Sequence, residues 1–194
     1  MTAPFSIHQA FAPRHQTSRS AGAGGTWAKR VRSATLALLV LALAGCGGDR
    51  RPEPAPAFQL PTLTHGRFAL GAQRGKVTVL VFWTTDCTIC KQEMLDLKEW
   101  HGQRAGDDLV VAAVCMDPEQ RDALRGVVAD AALPYDVLLD RGGAVGRRYG
   151  VKGMPTTVIV GRAGRVRYRI EGYDKGLARK IRGAIAGLLA SERA

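Results

Sequence analysis

Phe82-Trp83-Thr84-Thr85-Asp86-Cys87-Thr88-Ile89-Cys90 is the stretch on which the reading of this chain turns. The run Val77 to Trp83 is apolar and rich in Val, the pattern of a strand buried on both faces, and the residues after Cys87 read as a helix. Both cysteines therefore sit where a strand hands over to a helix. A thiol there faces unsatisfied backbone N–H groups and the positive end of the helix dipole, which favour thiolate, so Cys87 is the nucleophile. Cys90 follows three residues later on the same helical face, placed to close a small disulfide ring and to resolve a mixed disulfide at Cys87.

Two other uses of the pair are weaker. A structural zinc site wants four ligands, and beyond the pair the chain offers Cys46, Cys115 and the scattered His8, His15, His65 and His101. A purely structural bridge over so short a loop removes little unfolded-state entropy.

The chain has 194 residues, enough for one domain with appendages, and a formal charge of +11. That charge looks like a nucleic-acid signature until it is divided. Residues 1–45 hold five basic and no acidic residues, leaving 23 Lys/Arg against 17 Asp/Glu, a net of +6, in the rest. A nucleic-acid partner is not expected. Lys29, Arg30 and Arg32 precede the apolar run Ala34 to Ala44, which is too short to span a bilayer comfortably and reads as a signal peptide. It ends in Leu43-Ala44-Gly45-Cys46, which resembles the lipobox of bacterial lipoproteins. That resemblance implies export, lipidation of Cys46 and attachment to the bilayer; an ordinary signal peptide with a stray cysteine is the alternative. Residues 1–45 are thus leader and signal peptide, 46–57 a Gly, Pro and charge-rich tether, and 58–194 the folded domain.

Within 58–194 the pattern predicts an opening hairpin (Phe58 to Leu60 and Arg67 to Leu70), the strand Val77 to Trp83, and a helix to about Gly102 with Met94, Leu95, Leu97 and Trp100 inward. There follow a strand Leu109 to Val114, a helix Glu119 to Ala132 burying Leu124, Val127 and Val128, and a short strand Val137 to Leu139. A helical turn Val145 to Tyr149 precedes strands Thr156 to Val160 and Val166 to Ile170, joined by a turn at Gly161–Gly164. The last strand alternates, with Val166, Tyr168 and Ile170 expected inward and Arg165, Arg167 and Arg169 outward, the arginines solvating and protecting a sheet edge, with a binding patch as the alternative. A final helix, Asp174 to Ala190, carries Leu177, Ile181, Ala184, Ile185 and Leu188 on one stripe. Strand and helix alternation followed by a hairpin implies an α/β architecture: a mixed central sheet with helices on both faces.

From about Phe58 to the last helix the chain resembles the thioredoxin superfamily, and within it the membrane-tethered TlpA/ResA-type thiol-disulfide oxidoreductases. Phe82-Trp83, Cys87-x-x-Cys90, Glu93-Met94 and Gly153-Met154-Pro155-Thr156-Thr157 carry the likeness, the last resembling the family's cis-proline loop. The resemblance implies a thioredoxin-like fold and a redox-active disulfide between Cys87 and Cys90. It also implies a substrate groove shaped by Trp83, Met154 and Pro155, with no small-molecule cofactor and no metal. An X-Pro bond is the one peptide with an accessible cis form, and a locked cis bend presents backbone to an extended substrate. Pro155 read without the family is equally a trans proline opening a strand, Trp83 equally aromatic core, Met154 equally packing, and Cys115 most simply a buried small hydrophobe.

The departures are informative. Val81 stands where thioredoxin carries a buried Asp that assists proton transfer, which leaves Glu93, one turn beyond Cys90, as the replacement proton relay or else an exposed helical Glu. Asp86 adjoins Cys87 where the family has a neutral residue. Its charge either opposes the helix terminus and destabilises a Cys87 thiolate, or its carboxylate caps the helix. The function expected is an exported, lipid-anchored oxidoreductase reducing periplasmic protein disulfides, with cytochrome c maturation as one setting and a membrane protein as electron donor, since the periplasm has no soluble reducing buffer. One alternative is a peroxidase, because Thr84-x-x-Cys87 resembles the peroxiredoxin Thr-x-x-Cys, although Leu80 stands where that family has proline. The other is a copper metallochaperone using Cys87, Cys90 and Met154 as soft ligands.

Overall fold

A computed structural model describes residues 52–64, 66–104 and 108–191. In chain order the elements are β1 (Gln59–Pro61), β2 (Arg67–Ala69), β3 (Val77–Trp83), α1 (Thr88–Gln103), β4 (Leu109–Cys115) and α2 (Arg121–Ala131). Then come β5 (Asp136–Leu139), α3 (Ala144–Arg148), β6 (Thr156–Val160), β7 (Val166–Glu171) and α4 (Lys175–Ser191). β1 and β2 form the expected opening hairpin. The other strands make one sheet in the order β5-β4-β3-β6-β7, parallel across β5, β4 and β3 and antiparallel across β3, β6 and β7. This is the mixed α/β sheet expected, with helices on both faces.

All seven residues of β3 are buried because both of its faces are covered, which is why it reads as an unbroken apolar run. On one face Val77, Val79 and Val81 pack with Leu97 of α1 and with Ile181, Ile185 and Leu188 of α4. On the other, Leu80 and Phe82 pack with Phe58 and Phe68 of the opening segment and Val145 of α3, beside Tyr149. At the C-terminal end of β3, Trp83 joins Cys90, Met94, Cys115 and Leu124.

Three expectations need correction. Leu95 is exposed rather than inward, and Val127 and Val128 are only half-buried, so α2 buries Leu124 alone. The alternation of β7 breaks: Ile170 packs on the α1/α4 face, Val166 packs on the opposite face, and Tyr168 is 39% exposed. A register shift between Ile159 and Val160 puts Val166 on the other face, because one extra residue reverses the faces on either side of it, while Tyr168 stays opposite Ile159. Finally, the stretch read as tether is bonded to the domain over its described residues, 52–57. Val166 N–H donates to Glu53 O (2.8 Å), Ala55 N–H to Gly164 O (3.0 Å), and Arg165 Nη1 to Pro52 O (2.7 Å). Arg148 Nη1 donates to Ala57 O and Tyr149 Oη to Pro56 O. Main-chain groups, together with the Ala55 side chain packed on the core, hold this segment to the β7 edge and the end of α3, so its composition gave little sign of it. At roughly 1 kcal/mol each, five such bonds are enough to offset much of the ordering of a few residues.

Candidate active site

β3 delivers the chain to Trp83, and Thr84 to Asp86 turn it into α1. Thr85 is pinned there by Asp117, just beyond β4: its N–H lies 3.1 Å from both Asp117 carboxylate oxygens, and its hydroxyl donates to Oδ2 at 2.6 Å. Cys87 takes the N-cap position, and its Sγ accepts the Cys90 N–H at 3.3 Å. Cys87 and Cys90 are joined in a disulfide. The two sulfurs are not equivalent, because Cys87 is half-buried at the helix terminus while Cys90 is fully buried one turn inside. In the reduced protein the N–H donated to Cys87 and the helix dipole both stabilise a thiolate on the outer sulfur. The geometry thus fits attack by Cys87 and resolution by Cys90.

Asp86 does not cap the helix; Cys87 does. The Asp86 side chain is exposed, so its charge beside Cys87 acts through solvent and is weakened by salt.

Glu93 is the residue whose place was least expected. Cys90, Glu93, Met94 and Leu97 form the buried stripe of α1, at spacings of three, four and seven residues from Cys90, and Glu93 is 0% exposed. The Thr157 hydroxyl donates to Oε1, and Oε2 has no partner. Burial pushes its carboxyl up from 4.5 to about 7; Thr157 lowers it and the nearby Asp96 charge raises it. Thr157 is the cross-strand partner of Val81. The acid missing from β3 at Val81 is therefore supplied from α1 to the neighbouring strand position. A carboxyl that exchanges its proton near neutrality, one turn from Cys90, has the properties of a general acid and base.

The Met154–Pro155 peptide is cis. Thr156 is the register partner of Phe82, so the bend lies at the same end of the sheet as the dithiol, and Pro155 O accepts Gly172 N–H at 2.7 Å. Met154 is half-buried and packs against the cluster that holds Cys87 and Cys90. Trp83 does not line the groove: it is 0% exposed, paired across the ladder with Cys115 beneath α1, and offers a substrate no surface. Its expected role there is corrected to core.

Cys115 is the buried hydrophobe expected. Its S–H donates to Asp117 Oδ1 at 3.3 Å, and burial pushes the thiol up to about 12, which keeps it out of thiolate chemistry. Asp117, Thr85 and Thr157 escaped the sequence reading. The available sign for Asp117 was a carboxylate just past the C-terminal end of a parallel strand, where sites in open α/β sheets gather. Among the described residues no group of three or more His, Cys, Asp or Glu could hold a metal ion. Cys46 lies outside the described residues.

Comparison with known proteins agrees with this geometry. Residues 52–169 match the AhpC/TSA family. The chain is 31% identical over 118 residues to the thioredoxin-like protein YneN of Bacillus subtilis, covering 60% of this chain and 69% of the relative. It is 29% identical over 121 residues to the thiol-disulfide oxidoreductase ResA of Bacillus thuringiensis, covering 62% and 69%. Among solved structures, a DsbE-type thiol:disulfide interchange protein of Chlorobium tepidum superposes with a TM-score of 0.68 at 29% identity, over 72% of this chain and 98% of the other. A thioredoxin of Neisseria meningitidis gives 0.65 at 27%, over 74% and 94%. The expected thioredoxin-like fold is thereby established.

Proposed function

This chain belongs to the AhpC/TSA family and is a thiol-disulfide oxidoreductase on a thioredoxin-like fold, and from that premise we propose that it is an exported, lipid-anchored reductant of periplasmic protein disulfides. The observation that carries the chemistry is the unequal pair: a half-buried Cys87 at a helix terminus, with Cys90 and Glu93 buried behind it on one stripe. In the reduced enzyme the Cys87 thiolate attacks a substrate disulfide, forming one S–S bond and releasing one substrate thiolate. The Cys90 thiol then passes its proton to Glu93, attacks the mixed disulfide and frees the second substrate sulfur. Two electrons pass to the substrate, and the enzyme is left with the Cys87–Cys90 disulfide. Met154 and the cis Pro155 edge orient the extended substrate beside that bond. Regeneration requires two electrons from a membrane dithiol donor, since no soluble reducing buffer serves this compartment. Apocytochromes awaiting haem attachment are one substrate class this reading includes.

Anchoring rests on Leu43-Ala44-Gly45-Cys46 after an apolar run. Wild-type protein is expected to take up radiolabelled fatty acid and to sediment with membranes. Cys46→Ala should lose the label and the sedimentation while keeping full dithiol activity. Recovery of unlabelled, soluble, mature wild-type protein would remove the anchor and leave the reductase reading standing. That reading has its own test: stoichiometric reduction of a protein disulfide by the pre-reduced enzyme, which must fail when Cys87 is Ser.

A further inference from the structure

Charge is sorted along this sheet. Residues 86–140, which build α1, β4, α2 and β5, carry twelve Asp/Glu against five Lys/Arg. Residues 141–182, with α3, β6, β7 and half of α4, carry twelve Lys/Arg against two Asp/Glu. Because the strands run β5-β4-β3-β6-β7, β4 and β5 fall in the acidic segment and β6 and β7 in the basic one, although Arg141 lies beside Leu139 at the β5 side.

Several arginines on the basic side are fixed without being neutralised. Arg147 donates to Gly142 O, Arg148 to Ala57 O and Arg165 to Pro52 O, at 2.6, 2.7 and 2.7 Å. A carbonyl orders a guanidinium but leaves its full charge. Arg169 lies against Gly150, where an added Cβ would sit 3.0 Å from its Nη1. Tyr168 lies between Arg167 and Arg169, opposite Ile159 on this edge strand, and is 39% exposed, so the strand presents an amphipathic ring among cations, a combination suited to a headgroup boundary.

The chain also brings this edge near the proposed anchor. Pro52 is bonded to Arg165, just before β7, and stands six positions after Cys46. Even fully extended, six residues reach about 20 Å. Surface fields decay over about 8 Å at physiological salt, so a basic patch acts on a membrane only if it is held this close.

We infer that the β7 edge, through Arg165, Arg167, Tyr168 and Arg169, is a docking face for an anionic phospholipid surface. Its setting rests on the exported, Cys46-anchored reading above. The dithiol lies at the end of the sheet opposite the β6–β7 turn, so a domain resting on its β7 edge keeps Cys87 at its side, open both to a membrane donor and to soluble substrates.

The test uses full-length Cys46→Ser protein, which carries no acyl chain, with phosphatidylcholine vesicles containing or lacking phosphatidylglycerol. Binding is expected only with phosphatidylglycerol and should weaken as salt rises. The triple Arg165→Gln, Arg167→Gln, Arg169→Gln variant should bind tenfold or more weakly, since each basic residue at such a surface contributes severalfold. A control triple, Arg104→Gln, Arg121→Gln, Arg125→Gln, makes the same charge change on the acidic half and should bind like the parent. Single Arg167→Gln and Arg169→Gln variants, each expected to lose severalfold, decide the matter should the triple misfold. Equal losses in the two triples, or binding indifferent to phosphatidylglycerol, would overturn the proposal. So would a face that binds polyglutamate but not vesicles, which would assign it to an acidic protein. Turnover of a soluble disulfide should be unchanged in the β7 triple. Absence of that turnover in the parent would sink the reductase reading and leave the docking result intact.

Discussion

Replacing Glu93 with Gln is expected to slow disulfide reduction at pH 7 by roughly two orders of magnitude, the usual share of a positioned acid–base group. Gln keeps the shape and can still meet the Thr157 hydroxyl, so the loss reports the proton and not the packing. In the wild type, turnover should rise as pH passes through about 7, because only ionised Glu93 can take the proton of Cys90. The Gln variant should lack that inflection. Stability moves the opposite way. The folded protein holds a proton on Glu93 between pH 4.5 and about 7 that the unfolded chain has released, so stability falls as pH rises through that window. The full change is roughly 3 kcal/mol. Denaturation midpoints of the wild type should therefore drop across this range, while those of Glu93→Gln stay flat with respect to this group. A Gln variant with normal turnover and an unchanged pH profile would remove Glu93 from the mechanism.

The second large effect is a difference between two substitutions of similar size. Cys90→Ser removes the resolving sulfur and leaves Cys87 its helix terminus, so partner proteins should accumulate as mixed disulfides on Cys87, stable to gel analysis and released by reductant. Cys87→Ser leaves a sulfur that is fully buried, and it should trap almost nothing and reduce no substrate. Both variants end net turnover, so the distinction lies in the covalent adducts. Equal trapping by the two, or trapping mainly by Cys87→Ser, would mean that the order of attack is reversed.

How far these roles could be read beforehand depended on what kind of interaction each residue makes. β3, β4 and β6 were legible because a strand buried on both faces leaves an unbroken apolar run. The dithiol was legible because its spacing and its place at a strand-to-helix junction carry the chemistry locally. Glu93 was named as a possible relay, but its burial was not foreseen, since a Glu on a helix is ordinarily solvated. Its spacing from Cys90, Met94 and Leu97 already placed it on the buried stripe. Asp117 offered only its place after a parallel strand, and its partner was not legible, because its bonds reach 32 residues back to Thr85. Pro52 to Ala57 looked unfoldable because pairing through carbonyls leaves no mark in side-chain composition. β7 misled for the same reason, since an extra residue in a ladder is a backbone event and the alternation of Arg and apolar residues stayed regular across it.

The reduction potential of the Cys87–Cys90 couple in the full-length protein tests the central claim most directly. Strong oxidants of this fold are oxidising because their reduced form is unusually stable. Here the exposed Asp86 places a negative charge beside Cys87, weakened by salt, which works against the thiolate and opposes the helix terminus and the Cys90 N–H that stabilise the reduced form. Equilibration with a dithiol buffer should give a value nearer roughly −270 mV than roughly −120 mV. A potential close to roughly −120 mV would contradict the account and make this protein a donor of disulfides instead of a reductant.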